Sequence, residues 1–241
     1  MEREIIVNTY WHSNTILMLK RAQRWFPVIE PILEENNIPK DFKYISAIES
    51  NLDNLVSPAG ATGFWQFMRG TAPKYNLEIS NGVDERYHVE KSTQAACEYL
   101  KEAYEKFGSW STAAASYNMG INGVEKQIER QGTKNYYNFI LNEETSRYLF
   151  RAIALKLIIN NPENYGFGIY DYETYKPYET FEVEIKNDVK DLAVWAKDKG
   201  INYKWLKILN PWLRDNEVTV PAGKTYNIKL PKPGSINIIP D

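Results

Sequence analysis

The 241-residue chain has one cysteine, Cys97, so no disulfide can close within it. Cys97 lies in "STQAACEYL", at helical spacing, where a buried small hydrophobe is expected rather than a nucleophile. Histidine is equally scarce. His12 and His88 stand far apart, without the spacing of a metal pair. No glycine-rich phosphate loop occurs. The expectation is therefore a protein without metal or cofactor. Charge of one sign is also lacking. The net charge of −2 gives no basic footprint for nucleic acid or for an anionic membrane surface. No apolar run nears the roughly 18 residues of a membrane span. The first 30 residues carry Arg, Lys, Glu and His at short intervals, which is not the pattern of a secretory leader. Any membrane attachment would need an N-terminal segment not seen here.

What is present is a globular composition, 43% hydrophobic and 25% charged, which excludes a disordered chain. Aromatic residues reach 14%, enough for stacking on sugar rings as well as for core packing. From Tyr10 to about Asn161 the apolar spacing is helical. Pro27 and Pro31 read as helix starts or breaks. Residues 53–63, "DNLVSPAGATG", are turn-forming. "TQAACEYLKEAYEKF" is a helix stopped by Gly108; Ser109 caps the next, and Gly120 stops it. Near Tyr165 the composition shifts. "TFEVEI" alternates as a strand, "DVKDLAVWAKDKG" reads as a helix capped by Asp188, "NYKWLKILNP" as a second helix and "KTYNIKLP" as a closing strand. Two domains follow, 1–168 and 178–241 with a short C-terminal tail, joined by a linker at 169–177.

One helical stretch, "KYISAIESNL" (43–52), holds a carboxylate out of place. At about 100° per residue, Phe42, Tyr44, Ile45, Ile48 and Leu52 share an arc roughly 160° wide. Glu49 falls inside it, while Lys43, Ser46 and Ser50 lie on the other side. A carboxyl on an apolar face is raised in pKa and suits a general acid. A rim glutamate that reaches water or pairs with a base fits the same pattern.

Four ordered segments bear on that choice: "ES" at Glu49, "SPAGATGFWQFM" from Ser57, "ASYNMG" from Ala115 and "ETSRY" from Glu144. Together they resemble the lytic transglycosylases of bacterial cell-wall metabolism, closest to the membrane-bound lytic murein transglycosylase D type. "VDERYHVEKST" and "FGSW" support that subtype. The resemblance spans about residues 17 to 168. It implies a mainly α fold: a lysozyme-like helical catalytic domain of goose-lysozyme type, beside a small α+β module. It implies cleavage of the MurNAc–GlcNAc β-1,4 bond of peptidoglycan without water, leaving 1,6-anhydromuramoyl ends. Glu49 would be the catalytic acid and then base, with Ser57, Gln66, Tyr117, Asn118 and Tyr148 binding sugar or shaping the site. Phe64 and Trp65 depart from the leucine and methionine of many relatives, and Trp65 suits either core or groove wall. Asp53, four residues after Glu49, suits a loop or capping role or that of a second carboxylate. Glu144 and Arg147 read as surface or inter-helix pairs. "DER" at 84–86 reads as an ion-paired loop pin.

The second unit resembles a LysM module, a βααβ fold that binds N-acetylglucosamine-containing glycans. It carries "KND" where such modules usually have a Gly-Asp-Thr turn, so glycan binding and a docking role both stay open. It is expected to fold independently and to add avidity. The expected partner is peptidoglycan glycan strands and not nucleic acid; the expected state is a monomer exported to the cell envelope or periplasm. A hydrolytic muramidase and a non-catalytic cell-wall binding protein are the alternatives.

Overall fold

The computed structural model of the chain describes residues 1–236; residues 237–241 of the expected C-terminal tail lie outside them. The first part is helical, as the spacing predicts: α1 (Glu2–Tyr10), α2 (His12–Glu35), α3 (Lys43–Ser50), α4 (Val89–Phe107), α5 (Trp110–Met119), α6 (Ile121–Gln131) and α7 (Glu143–Asn160). The α1 helix lies outside the expected span. Gly108 (φ 69°) and Gly120 (φ 79°) end their helices in conformations that a side chain resists. The Ser109 hydroxyl accepts from the Thr112 N–H at 3.4 Å, as its capping role requires.

Pro27 and Pro31 do not break α2, which runs through both. They lie one turn apart on the exposed side, where the carbonyls they leave unpaired can meet water. The opposite face buries Ala22, Phe26, Ile29 and Leu33 and keeps the helix seated. The α3 helix is also not the amphipathic element its spacing suggests. Ser46 and Ser50, on its expected outer side, are buried; Ser46 Oγ donates to the Phe64 carbonyl at 3.1 Å and Ser50 Oγ to the Ser46 carbonyl at 3.0 Å. The helix is buried on more than one side because it packs between α2 and α7. Small hydroxyls with local acceptors are tolerated there. After it, Asn51 (φ 54°) and Leu52 (φ 53°) turn the chain into the loop.

The second unit contains β1 (Thr180–Ile185), α8 (Leu192–Asp198), α9 (Tyr203–Leu209) and β2 (Tyr226–Pro231). The strands pair antiparallel, with Thr180 opposite Pro231 and Ile185 opposite Tyr226. The cap of α8 is Asp191, not Asp188: its Oδ1 accepts from Ala193 N at 2.8 Å and Val194 N at 3.0 Å. Val189 pairs with Val218, which keeps the backbone extended there, and Asp188 accepts from Val220 N at 2.8 Å.

The unit expected to fold independently packs against the first part. Its apolar cluster of Leu192, Leu206, Leu213 and Ile228 includes Val83 from the first part, with Tyr87 packed against it. Val83 is 1% exposed, and burial of such a side chain contributes about 1.5–3 kcal/mol. Among the described residues no helix is long and apolar enough to cross a membrane.

Candidate active site

Glu49 sits in the last turn of α3, between α7 and the loop that follows. The Tyr148 hydroxyl on α7 donates to its Oε1. Burial raises the Glu49 carboxyl above its ordinary pKa; the Tyr148 hydrogen bond and the Arg151 charge oppose this, and Glu144 adds to it. The net direction is upward, the state a general acid needs. Tyr148 is 1% exposed, and burial followed by the Glu49 charge holds its phenol well above the usual range. It is therefore a permanent neutral donor. Its hydroxyl contacts the carboxyl.

The loop 53–67 forms the next wall. Ser57 closes a turn: its N–H donates to the Ala61 carbonyl at 2.8 Å, and its Oγ accepts from Ala61 N at 3.0 Å. Among the described residues no acceptor takes its hydroxyl proton. Gln66 adopts φ 49°, a left-handed conformation that costs a non-glycine residue on the order of 1–3 kcal/mol. Its side-chain amide holds the turn together, donating to the Gly63 carbonyl at 2.8 Å and the Leu55 carbonyl at 3.1 Å. The oxygen of that amide points to no protein donor among the described residues, which leaves an acceptor for an N–H or hydroxyl. Phe64 and Trp65 are core, not groove wall: they are 1% and 0% exposed, and Trp65 Nε1 donates to Thr93 Oγ1 at 2.8 Å.

The C-terminal turn of α5 brings Tyr117 and Asn118. Tyr117 Oη donates to the Trp65 carbonyl at 2.8 Å and so ties α5 to the loop. Burial and then the Glu49 charge raise its phenol well above the ordinary value. Asn118 is held at both ends of its amide, donating to Glu144 Oε1 at 3.0 Å and accepting from Thr145 Oγ1 at 2.8 Å. One amide proton is left over.

Asp53 faces elsewhere. Arg21 binds it at 2.6 Å, and its other oxygen accepts from Asn54 N at 2.9 Å. That is a loop-fixing role. Arg147 pairs with the buried Glu4 at 2.6 Å and with Glu143 at 3.0 Å. Cys97 is buried, and burial pushes its thiol up to about 12, which removes it as a nucleophile. No cluster of metal-ligating side chains occurs among the described residues.

Arg151 was not anticipated. Its Nη2 donates to the Ile48 carbonyl at 3.2 Å, and its charge acts on Glu49. The signal was available: Glu144, Tyr148 and Arg151 are spaced i, i+4, i+7, which places them on one face of α7.

Comparison with known proteins finds two family models along the chain. Residues 27–140 match the family model of the transglycosylase SLT domain, and residues 181–234 that of the soluble lytic transglycosylase C-terminal LysM-like domain. The membrane-bound lytic murein transglycosylase D of Escherichia coli K12 is 27% identical over 230 residues, which is 93% of this chain and 49% of that protein. The chain thus spans about half the length of that relative. A solved structure of an inactive mutant of the lytic transglycosylase Slt from Pseudomonas aeruginosa is 19% identical, with a TM-score of 0.48, over 63% of this chain and 26% of that one. The chain carries an SLT domain followed by a LysM-like domain.

Proposed function

We propose that this chain, which joins an SLT domain to a LysM-like domain, cleaves the MurNAc–GlcNAc β-1,4 bond of peptidoglycan as a lytic transglycosylase. The observation that carries the reading is Glu49, a carboxyl raised in pKa by burial and held by the neutral donor Tyr148. In the first step the Glu49 proton passes to the glycosidic oxygen, and the C1–O bond breaks with its electron pair leaving on the GlcNAc hydroxyl. In the second, the Glu49 carboxylate takes the proton of the C6 hydroxyl of the same MurNAc, whose oxygen bonds to C1. The 1,6-anhydro ring closes, Glu49 is protonated again and no water is consumed. An acceptor within the same sugar has high effective molarity, so a second carboxylate to activate water is not required.

Ser57, Gln66 and Asn118 each keep one donor or acceptor free for the substrate. Tyr117 and Tyr148 act through the loop and through Glu49. A hydrolytic reading draws on Glu144, an exposed carboxylate whose charge is felt by Glu49. The two readings differ in the product: an anhydro end is one water lighter than a reducing end. Mass spectrometry of the fragments released from purified glycan strands should show the lighter mass, and reducing ends alone would establish the hydrolase. The reading places the protein in the cell envelope, where peptidoglycan lies, with domains bounded near 168 and 178. The similarity to a membrane-bound murein transglycosylase supports that location.

A further inference from the structure

The LysM-like unit meets the first part along residues 78–90, and the contact has unusual continuity. Segments 82–84 and 212–214 pair as strands do: Asp84 N donates to the Trp212 carbonyl at 2.9 Å, Arg214 N donates to the Gly82 carbonyl at 2.9 Å, and Val83 faces Leu213. Ion pairs flank this seam. Lys224 binds Glu78, with Tyr226 Oη on the same carboxylate at 2.8 Å, and Lys229 binds Glu90. The Trp212 ring stacks on His88 at 5.8 Å, and the Arg214 guanidinium lies 4.0 Å from the Tyr87 ring centre.

From Asp84 the contact continues to the substrate loop. Asp84 and Arg86 form a buried, two-pronged pair, with Nε to Oδ1 at 3.0 Å and Nη2 to Oδ2 at 2.7 Å. The remaining nitrogen, Nη1, donates to the Gly60 and Phe67 carbonyls, each at 3.2 Å. Those carbonyls belong to the loop that bears Ser57 and Gln66: Gly60 closes the turn that starts at Ser57, and Phe67 follows Gln66. The Arg86 carbonyl also lies where a Cβ on Gly63 would come within 1.9 Å, so the backbone of 84–86 and that of the loop touch directly. Without its carboxylate the buried Arg86 charge would be left uncompensated, and the Asp84 backbone is held by the Trp212 carbonyl.

We propose that the LysM-like unit positions the substrate loop, through Trp212, Asp84 and Arg86, and that this buttress sets turnover at the active site. Asp84 and Arg86 are positioning residues in this scheme, since both are buried and act through the loop. The inference rests on the transglycosylase reading for its rate measurement but not for its structural one. A unit that merely tethers would raise local concentration on long polymers and leave short substrates unaffected. A buttress acts on short substrates as well, because a misplaced binding group costs on the order of 10²-fold in rate.

The test uses the full chain with Lys224→Glu and Lys229→Glu together, which turns two attractions across the seam into repulsions. Hydrogen exchange is followed at the Asp84 amide and at the amides of 57–67, and kcat and KM are measured on short soluble glycan strands. The expected result is loss of protection at both places and a fall in kcat/KM of about 10- to 100-fold. Adding Glu78→Lys and Glu90→Lys should restore both readouts, which separates undocking from unfolding. Failure of the swapped pairs to restore them overturns the proposal. So does an exposed Asp84 amide with loop protection and turnover intact, and so does an Asp84 amide still protected after reversal, since the seam would then not depend on these contacts. A wild-type chain that releases no anhydro ends defeats the activity reading alone; the exchange data still decide the coupling.

Discussion

The hydroxyl of Tyr148, on α7, donates to the carboxyl of Glu49, on α3, across 99 positions of sequence. Tyr148 is buried and Glu49 half-buried, so the bond is stronger than it would be on the open surface. It fixes which way the carboxyl points and opposes part of the rise that burial imposes.

Tyr148→Phe keeps the packing and removes the donor. Glu49 then loses a group that favours its ionised form, so its pKa rises further. The alkaline limb of the rate profile should move to higher pH, and kcat should fall by up to about 10²-fold as the carboxyl loses its orientation. Stability should drop by about 1 kcal/mol. An unchanged pH profile would leave Tyr148 as a core residue without influence on the acid.

Gly63→Ala probes the loop lock. Gly63 has φ 80°, and a Cβ there would lie 1.9 Å from the Arg86 carbonyl oxygen. Conformational strain alone costs about 1–3 kcal/mol. The backbone of 84–86 must also retreat, so Tm should fall and kcat/KM should fall with it. A variant as stable and active as its parent would show that the loop and the 84–86 segment are not rigidly fitted.

The parts of this molecule legible in its sequence are those written in local pattern. Glu49 stood out because its apolar neighbours recur at helical spacing, and Ser109, Gly108 and Gly120 mark helix ends by their own conformational chemistry. Ser46 and Ser50 read as outward by their polarity alone, because nothing local says that α2 and α7 enclose the helix. The cap of α8 was misplaced because "DVKD" offers two aspartates, and the choice depends on Val189 pairing with a residue far along the chain. The prolines of α2 were misread because tertiary burial of one face outweighs two exposed backbone defects. Nothing local could reveal Glu78 and Glu90, whose partners lie in the other unit.

Those two carboxylates make the seam sensitive to acid. Burial works to raise them, but Lys224 and Tyr226 on Glu78, and His88 and Lys229 on Glu90, overcome it; Glu78 ends below its usual range and Glu90 at about 2. A carboxylate lowered on folding contributes stability that is complete above the unfolded value of 4.5 and lost as pH falls through the folded one. Only the Lys224, Tyr226 and Lys229 contributions cross the seam, His88 being on the same side as Glu90, so the interface should loosen in part between about 4.5 and about 2. Hydrogen exchange at Asp84 and Arg214, corrected for intrinsic rates, should show protection declining across that window. Glu90→Gln should weaken the seam at neutral pH and flatten the decline. Constant protection down to the lower limit would mean these pairs do not hold the units together.

Glu49→Gln carries the largest expected effect. Glutamine keeps the size and shape of the side chain but neither delivers a proton to the leaving oxygen nor takes one from the C6 hydroxyl. General acid–base groups contribute about 10²- to 10⁴-fold, and here one group serves both steps, so the loss should reach the upper end or exceed it. Stability should change in the other direction. Because burial raises the folded pKa of Glu49 above the ordinary 4.5, the protonated carboxyl is tolerated best below that value, and its favourable contribution is lost as pH rises through the folded pKa. An amide has no such loss, so the Tm of the variant should gain on its parent as pH increases. The matched control is Asp53→Asn. Asp53 is bound to Arg21 at 2.6 Å with its side chain 44% exposed, so the change should cost less than about 1 kcal/mol and leave most activity. Rates on purified glycan strands, with circular dichroism to confirm folding, distinguish the outcomes. A folded Glu49→Gln variant turning over at the parental rate removes Glu49 from the chemistry. An Asp53→Asn variant as inactive as Glu49→Gln would require two carboxylates, and with them a water-consuming reaction.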